Sequence, residues 1–274
     1  MTWNESEPTL LPQPPWANRA IGLVRMVLAI LMTPFWVVVF LVGKVLRNLL
    51  GRGVRLHIFA DRMWARTGMY LVGLNREVHG TPIQSGALVA NHSSWSDILV
   101  LRSIMWVYFI SKADVAQWPG VGWLAQMVGT VFIERRRVEA KRQEEILRER
   151  IAAQQLLCFF PEGTSTDGMR VLPFKSSLFS AFFGAEVDPD LQIQPVSVRY
   201  LPHPEAGLPE DFFGWWGTMP FGGHIRTVMQ HSFGSRVVVT FHAPVRPADF
   251  PDRKALADHC HRAVAEGHAH AAAL

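Results

Sequence analysis

Residues 86–97 read GALVANHSSWSD. A short apolar run that opens on Gly86 and closes on the polar Asn91 has the length and composition of a buried strand, and the capping-box pattern Ser94-Trp95-Ser96-Asp97 behind it announces a helix. Strand, polar loop and helix form the unit from which parallel sheets are built. The loop also places His92 at the carboxyl end of a strand, where open α/β sheets carry their sites. Outward from this stretch, further β-rich runs lie at Val107 to Ser111, Thr130 to Glu134, Leu156 to Phe160, Ile193 to Arg199 and Arg236 to Phe241. Helical patterns fall near Trp95 to Met105, Ala113 to Val128, Val138 to Gln154, Phe174 to Phe183 and Arg253 to Glu266. This alternation predicts an α/β fold, a largely parallel sheet flanked by helices, undivided from residue 75 to residue 274.

His92 and Asp97 are too far around a continuous helix, about 140°, to share one face. With His92 in the loop and Asp97 in the first helical turn, the carboxylate can turn back and hold one imidazole nitrogen. The other nitrogen is then free to take a proton from a hydroxyl. The same residues equally fit a plain helix cap. Phe160-Pro161-Glu162-Gly163-Thr164 follows the apolar run LLCFF and can bring a carboxylate and turn amides to the same sheet edge, although an ordinary turn reads the same way. Lys112 closes another strand there. The run from Gly129 to Arg137 ends a further strand in a basic cluster suited to phosphate or carboxylate.

Composition narrows the class of protein. Of 274 residues, 49% are hydrophobic and 18% charged, against about 25% charged in an average domain. Disorder is excluded and a lipid-facing protein is favoured. Ten Trp and 17 Phe against three Tyr supply side chains that settle at bilayer interfaces or in acyl-chain clefts. The net charge of +4 favours anionic partners, and two cysteines cannot make a disulfide framework.

After a polar leader of residues 1–18, residues 19–74 read as membrane-anchoring helices. The run from Met26 to Gly43 is uncharged and just long enough to span. No small-residue cleavage site follows it, so it is expected to be retained. Pro34 at its centre disfavours an uninterrupted helix and leaves a kinked span and a single-leaflet hairpin open. The stretch from Val45 to Leu74 fits an amphipathic helix on anionic lipid or a helix docked on the main domain. Lys44, Arg47, Arg52 and Arg55 outweigh Arg19 and Arg25 on the other flank, which predicts a cytoplasmic main domain.

Taken in order, these blocks resemble the glycerolipid acyltransferases typified by 1-acylglycerol-3-phosphate acyltransferase. The resemblance covers about Gly86 to Tyr200. His92 with Asp97 matches the H-x-x-x-x-D box, Phe132 to Arg135 the second block, Phe160 to Thr164 the third, and Ile193 to Val196 the proline-containing strand. It implies a membrane-bound O-acyltransferase with no cofactor, moving an acyl group from an acyl carrier protein or coenzyme A thioester to a lysolipid hydroxyl. His92 is then the general base and Asp97 its orienting partner, with Lys112, Arg135, Glu162, Gly163, Thr164 and Lys175 at the acceptor. A bacterial inner membrane is the implied location.

The phosphatidate-forming members usually continue the third block as E-G-T-R-S, whereas Ser165 follows Thr164 here. A guanidinium suited to a phosphate monoester is missing. FPEGTSTDG and the later Trp215-Trp216-Gly217 with Met219-Pro220-Phe221 resemble the lyso-ornithine lipid branch, which is favoured slightly over 1-acylglycerol-3-phosphate. A purely 1-acylglycerol-3-phosphate acyltransferase and a non-enzymatic membrane-anchored lipid-binding protein are the competing readings. No G-x-S-x-G occurs, which argues against a serine hydrolase. Asp258, His259, His261, His268 and His270 suggest at most an adventitious metal site, so no metal is expected. No nucleic-acid motif is present.

Overall fold

The computed structural model describes residues 3–9, 11–133, 140–184 and 187–273. Seven strands form one sheet: β1 (Leu74–His79), β2 (Gly86–Ala90), β3 (Tyr108–Lys112), β4 (Val131–Ile133), β5 (Leu156–Phe159), β6 (Ile193–Leu201) and β7 (Ser235–Phe241). Their spatial order is β1-β7-β6-β2-β5-β3-β4. Every pairing is parallel except β6 with β7. The central β2 is buried along its length and is flanked by β5 and β6, as a fully covered parallel strand must be. Register sets Val89 beside Phe159 and Ala90 beside Val196. The loops after β2 and β5 therefore emerge side by side.

Helices α1 (Trp16–Leu50), α2 (Leu56–Val72), α3 (Ser96–Ile104), α4 (Val121–Met127), α5 (Ala140–Ala152), α6 (Phe221–His231) and α7 (Arg253–Ala271) complete the chain. The expected α/β class and N-terminal helical segment are both present. Two hydrophobic clusters, one on each face, fill the space between sheet and helices.

Several local expectations are corrected. The helix expected from Ala113 to Val128 is a short 3₁₀ turn, Ala113–Gln117, followed by α4, because Pro119 and Gly120 interrupt it and Gly120 has φ +74°. The Phe174 to Phe183 segment is 3₁₀ over Ser176–Phe182. Strand β1 was not anticipated, since it is an edge strand that buries Leu74 and leaves most of its other side chains exposed. Helix α6 is not expected from the sequence because its first turn carries Gly222 and Gly223, which disfavour helix. It forms by burying Val228 and Met229 and packing on α1.

The N-terminal helices also depart from one of the two expected arrangements. Helix α1 continues through Pro34, so no hairpin forms within the apolar run. The Thr33 hydroxyl donates to the Ala29 carbonyl at 2.8 Å and accepts from the Trp64 indole at 3.2 Å, so α2 supports the segment. The chain turns back only after Leu50. Close contact uses glycine: a Cβ on Gly43 would fall 2.4 Å from the His57 nitrogen, and one on Gly22 would fall 2.5 Å from the Gln230 side chain. Arg25 donates from Nη1 to the carbonyls of Met229 and Ser232, at the end of α6, where the exposed carbonyls favour a cation.

Helix α2 docks on the main domain, the second of the two readings of the Val45 to Leu74 stretch. Asp61 pairs with Arg102 of α3, and both side chains are 2% exposed. Arg66 and Arg76 donate to the Ser103 carbonyl at the end of the same helix. The opposite side of α1 exposes Leu23, Val27, Leu31, Phe35, Val38 and Val45, and α1 is the one described helix long and apolar enough to cross a membrane. Breaking the buried pair strands a charge. Asp61→Ala is expected to destabilise the detergent-solubilised protein by about 3–5 kcal/mol, read as a lower urea midpoint at unchanged slope.

Candidate active site

The loop after β2 carries the first part of the site. The Asp97 carboxylate is fully buried. Its Oδ2 accepts from His92 Nδ1 at 2.8 Å and from the backbone N–H groups of Ser93 and Ser94 at 2.9 and 3.0 Å. The two sequence readings thus coexist. Asp97 reaches back to Ser94 as a capping-box carboxylate does, and the same oxygen holds the imidazole. Nδ1 is committed to Asp97, which leaves Nε2 as the nitrogen available to a hydroxyl. The His92 side chain is 21% exposed, and its ring stacks on Phe160 with centroids 4.2 Å apart.

The loop after β5 clamps this histidine from behind. Glu162, expected at the acceptor, is 2% exposed and points inward. Its Oε1 accepts from the His92 N–H at 2.7 Å and its Oε2 from the Leu172 N–H at 3.0 Å. Burial pushes this carboxyl up to about 8, while the two backbone donors and the nearby Lys175 ammonium pull the other way. Thr166 donates its N–H to the His92 carbonyl at 3.0 Å. Glu162 and Thr166 together fix the backbone on both sides of the imidazole.

The remaining expected residues are distributed around this core. Lys175 Nζ donates to the Glu162 carbonyl at 2.7 Å. Gly163, with φ +69°, donates its N–H to the Phe160 carbonyl. The Thr164 hydroxyl accepts from the Trp3 N–H at 3.3 Å and donates to the Ser165 carbonyl. Lys112 ends β3 in register with Ile133 and is half-buried. Arg135 lies outside the described residues. Of the named set, the structure brings His92, Asp97, Glu162 and Lys175 into one connected group.

Sequence reasoning missed several contributors. Tyr200 of β6 donates its hydroxyl to Asp97 Oδ1 at 2.5 Å. The Trp95 indole donates to His224 Nδ1 at 2.9 Å, and burial pushes His224 down to about 4. Trp95, Trp118, Trp215 and Phe221 gather in edge-on and tilted contacts beside the site, with the Trp215 backbone N–H donating to the Ser93 carbonyl. A buried Tyr or Trp needs a polar partner, and that is the signal by which Tyr200 and Trp95 were findable.

The histidines of α7 do not gather. His268 Nε2 donates to the Gly168 carbonyl at 3.0 Å, beside Arg199 Nη1 at 2.5 Å. His261 Nε2 lies 3.4 Å from the Val171 carbonyl, and His259 packs on Phe250. Among the described residues no group of His, Cys, Asp and Glu is placed to hold a metal.

An imidazole held by a buried carboxylate at the end of a parallel strand, with a second loop locked onto its backbone, is an arrangement for activating a hydroxyl. Residues 75–199 match the Acyltransferase family. The chain is 48% identical over 198 residues, 72% of its length, to the lyso-ornithine lipid O-acyltransferase of Rhodobacter capsulatus, 71% of which is covered. It is 35% identical to the enzyme of the same name from Brucella abortus, covering 74% of this chain and 78% of that one. The crystal structure of the 1-acyl-sn-glycerophosphate acyltransferase of Thermotoga maritima superposes with a TM-score of 0.66 over 94% of this chain and 98% of that one, at 23% identity. The protein belongs to the acyltransferase family.

His268 gives the site a pH signature. Burial, and then the Arg199 cation, push it down from 6.5 to about 4, so the folded state binds fewer protons than the unfolded chain in that interval. Its contribution is complete above pH 6.5 and is lost as pH falls toward 4, by about 3 kcal/mol at most. His268→Gln is expected to flatten the loss of stability between pH 6.5 and 4, measured by denaturant titration at each pH.

Proposed function

We propose that this acyltransferase moves a fatty acyl group from an acyl carrier protein or coenzyme A thioester to the free hydroxyl of lyso-ornithine lipid. One observation carries the choice of acceptor. The 48% identity to the Rhodobacter capsulatus enzyme accompanies a third block that ends in Ser165 where phosphatidate-forming members place arginine. A carboxylate-bearing zwitterion does not require that guanidinium, because a single ammonium pairs with a carboxylate as readily as with a phosphate.

The chemistry follows from the site. His92 Nε2 takes the proton of the acceptor hydroxyl as its oxygen attacks the thioester carbonyl. Asp97 stabilises the imidazolium that forms. When the tetrahedral intermediate collapses, the carbon–sulfur bond breaks, and the departing thiolate takes the proton back from the imidazolium. An ester and a free thiol result. No cofactor enters these steps.

The exposed apolar face of α1 supports placement on a bilayer. Because α1 is held on α6 at Gly22 and Arg25 and stacks Phe40 on Trp106 farther along, we assign it to a single leaflet. The cations that flank the apolar run, Arg19, Arg25, Lys44, Arg47, Arg52 and Arg55, support a main domain on the cytoplasmic side of the inner membrane, where they would meet an anionic leaflet.

The test is transfer by purified protein from labelled acyl carrier protein and coenzyme A thioesters to a panel of lysolipids. Lyso-ornithine lipid is expected to have the highest kcat/KM. A higher value for 1-acylglycerol-3-phosphate would reassign the protein to phosphatidate formation. His92→Ala is expected to lose at least ~10²-fold in kcat while remaining in the membrane fraction, and near-normal transfer by this variant would remove His92 from the role of base. Without transfer to any lysolipid by the wild-type protein, lipid binding alone would be the function.

A further inference from the structure

Asp97 is a buried carboxylate whose two oxygens are treated unequally. Three donors, from His92, Ser93 and Ser94, converge on Oδ2. Among the described residues, Oδ1 has a single donor, the Tyr200 hydroxyl at 2.5 Å. The Tyr200 oxygen in turn accepts from the Ser96 hydroxyl at 2.9 Å. The ring is 4% exposed and lies on Phe213, with centroids 5.3 Å apart and planes at 24°.

We propose that Tyr200 is a positioning residue for acyl transfer: its hydroxyl, itself polarised by Ser96, holds the free oxygen of Asp97 and thereby sets how strongly Asp97 supports the charged form of His92. This rests on the reading of His92 as the base. A phenylalanine would pack on Phe213 equally well, so packing alone does not require the hydroxyl. The donor is neutral throughout the working range, since burial and the Asp97 charge push the phenol well up. The contact also ties the dyad to β6, one residue before the end of a strand that pairs with β2 itself.

The physical consequence has a sign. A carboxylate that shares its charge with a phenol attracts an imidazolium less than one that does not, because hydrogen bonds in a low-dielectric site redistribute charge along the chain. Removing the hydroxyl concentrates the charge on the His92 side, so the imidazolium is favoured to higher pH. The other titratable or charged groups around the dyad are Cys158 of β5, Glu162 of the following loop with Lys175 beside it, and Arg102 of α3. All are unchanged in a Tyr200→Phe variant.

The experiment compares full-length wild type, Tyr200→Phe, Ser96→Ala and His92→Ala in the same detergent, with the best acceptor from the lysolipid panel. Tyr200→Phe is expected to lower kcat about tenfold, because an Asp97 left without its Oδ1 donor holds the imidazole less well in position and this loss outweighs the stronger charge support. It is also expected to leave both KM values within about twofold and to move the acid limb of the kcat/KM profile upward by about half a pH unit or more. Ser96→Ala is expected to move the limb in the same direction by less. An unmoved limb in Tyr200→Phe, with or without a lower Tm, means that the ring only packs, and the proposal falls. If Tyr200→Phe does not fold, Ser96→Ala decides by the same criterion. An inactive His92→Ala beside an unmoved Tyr200→Phe removes the Tyr200 proposal alone, whereas an active His92→Ala removes the reading on which it rests.

Discussion

A carboxylate buried at the end of a central strand must be surrounded by donors, or the fold that buries it loses several kcal/mol. Asp97 meets that requirement with His92 and two main-chain N–H groups from its own loop and Tyr200 from β6. These donors come together only when β2 and β6 are paired and α3 starts immediately after the loop. The donors around Asp97 are thus a condition of the fold's stability. The imidazole is the most exposed member of the set, with the carboxylate beneath it sealed from solvent.

The second loop has a similar logic. Glu162 and Thr166 each hold the His92 backbone, Glu162 also holds the Leu172 N–H, and Lys175 donates to the Glu162 carbonyl. A carboxylate facing the cleft would repel the carboxylate or phosphate of an acceptor, whereas an inward-facing one stiffens the histidine loop without that cost. The following turn is held by Arg199 and His268 at the Gly168 carbonyl, so the C-terminal helix supports the same edge from the other side of the sheet. The N-terminal segment contributes too, with Trp3 bonded at Thr164 and tilted against Trp216. Remote parts of the chain thus converge on one loop.

The N-terminal pair of helices is packed into the same unit as the candidate site. Its outer face is apolar and exposed, while its inner face carries Asp61 to Arg102 and places Gly68 against Leu99. Both partners belong to α3, the helix that also carries Asp97. Leu99 and Arg102 lie within two helical turns of Asp97, so α2 packs directly on the short helix that carries the carboxylate.

The sequence by itself determined the α/β class, the positions of the strands that become β2 to β7, the apolar N-terminal helix, and the placing of His92 in a loop with Asp97 in the helical turn behind it, with a helix cap and a held imidazole both open. Those features are local: each is encoded in a contiguous run of apolar periodicity or turn chemistry. Only the tertiary structure decided which way Glu162 faces, that Tyr200 reaches Asp97 across 103 residues, that α1 runs unbroken through Pro34, and that Gly-rich α6 is a helix at all. Each of these depends on a partner from a distant part of the chain. Long-range packing overrides local propensity where the buried area or the buried charge at stake exceeds the fraction of a kcal/mol to few kcal/mol by which propensities differ.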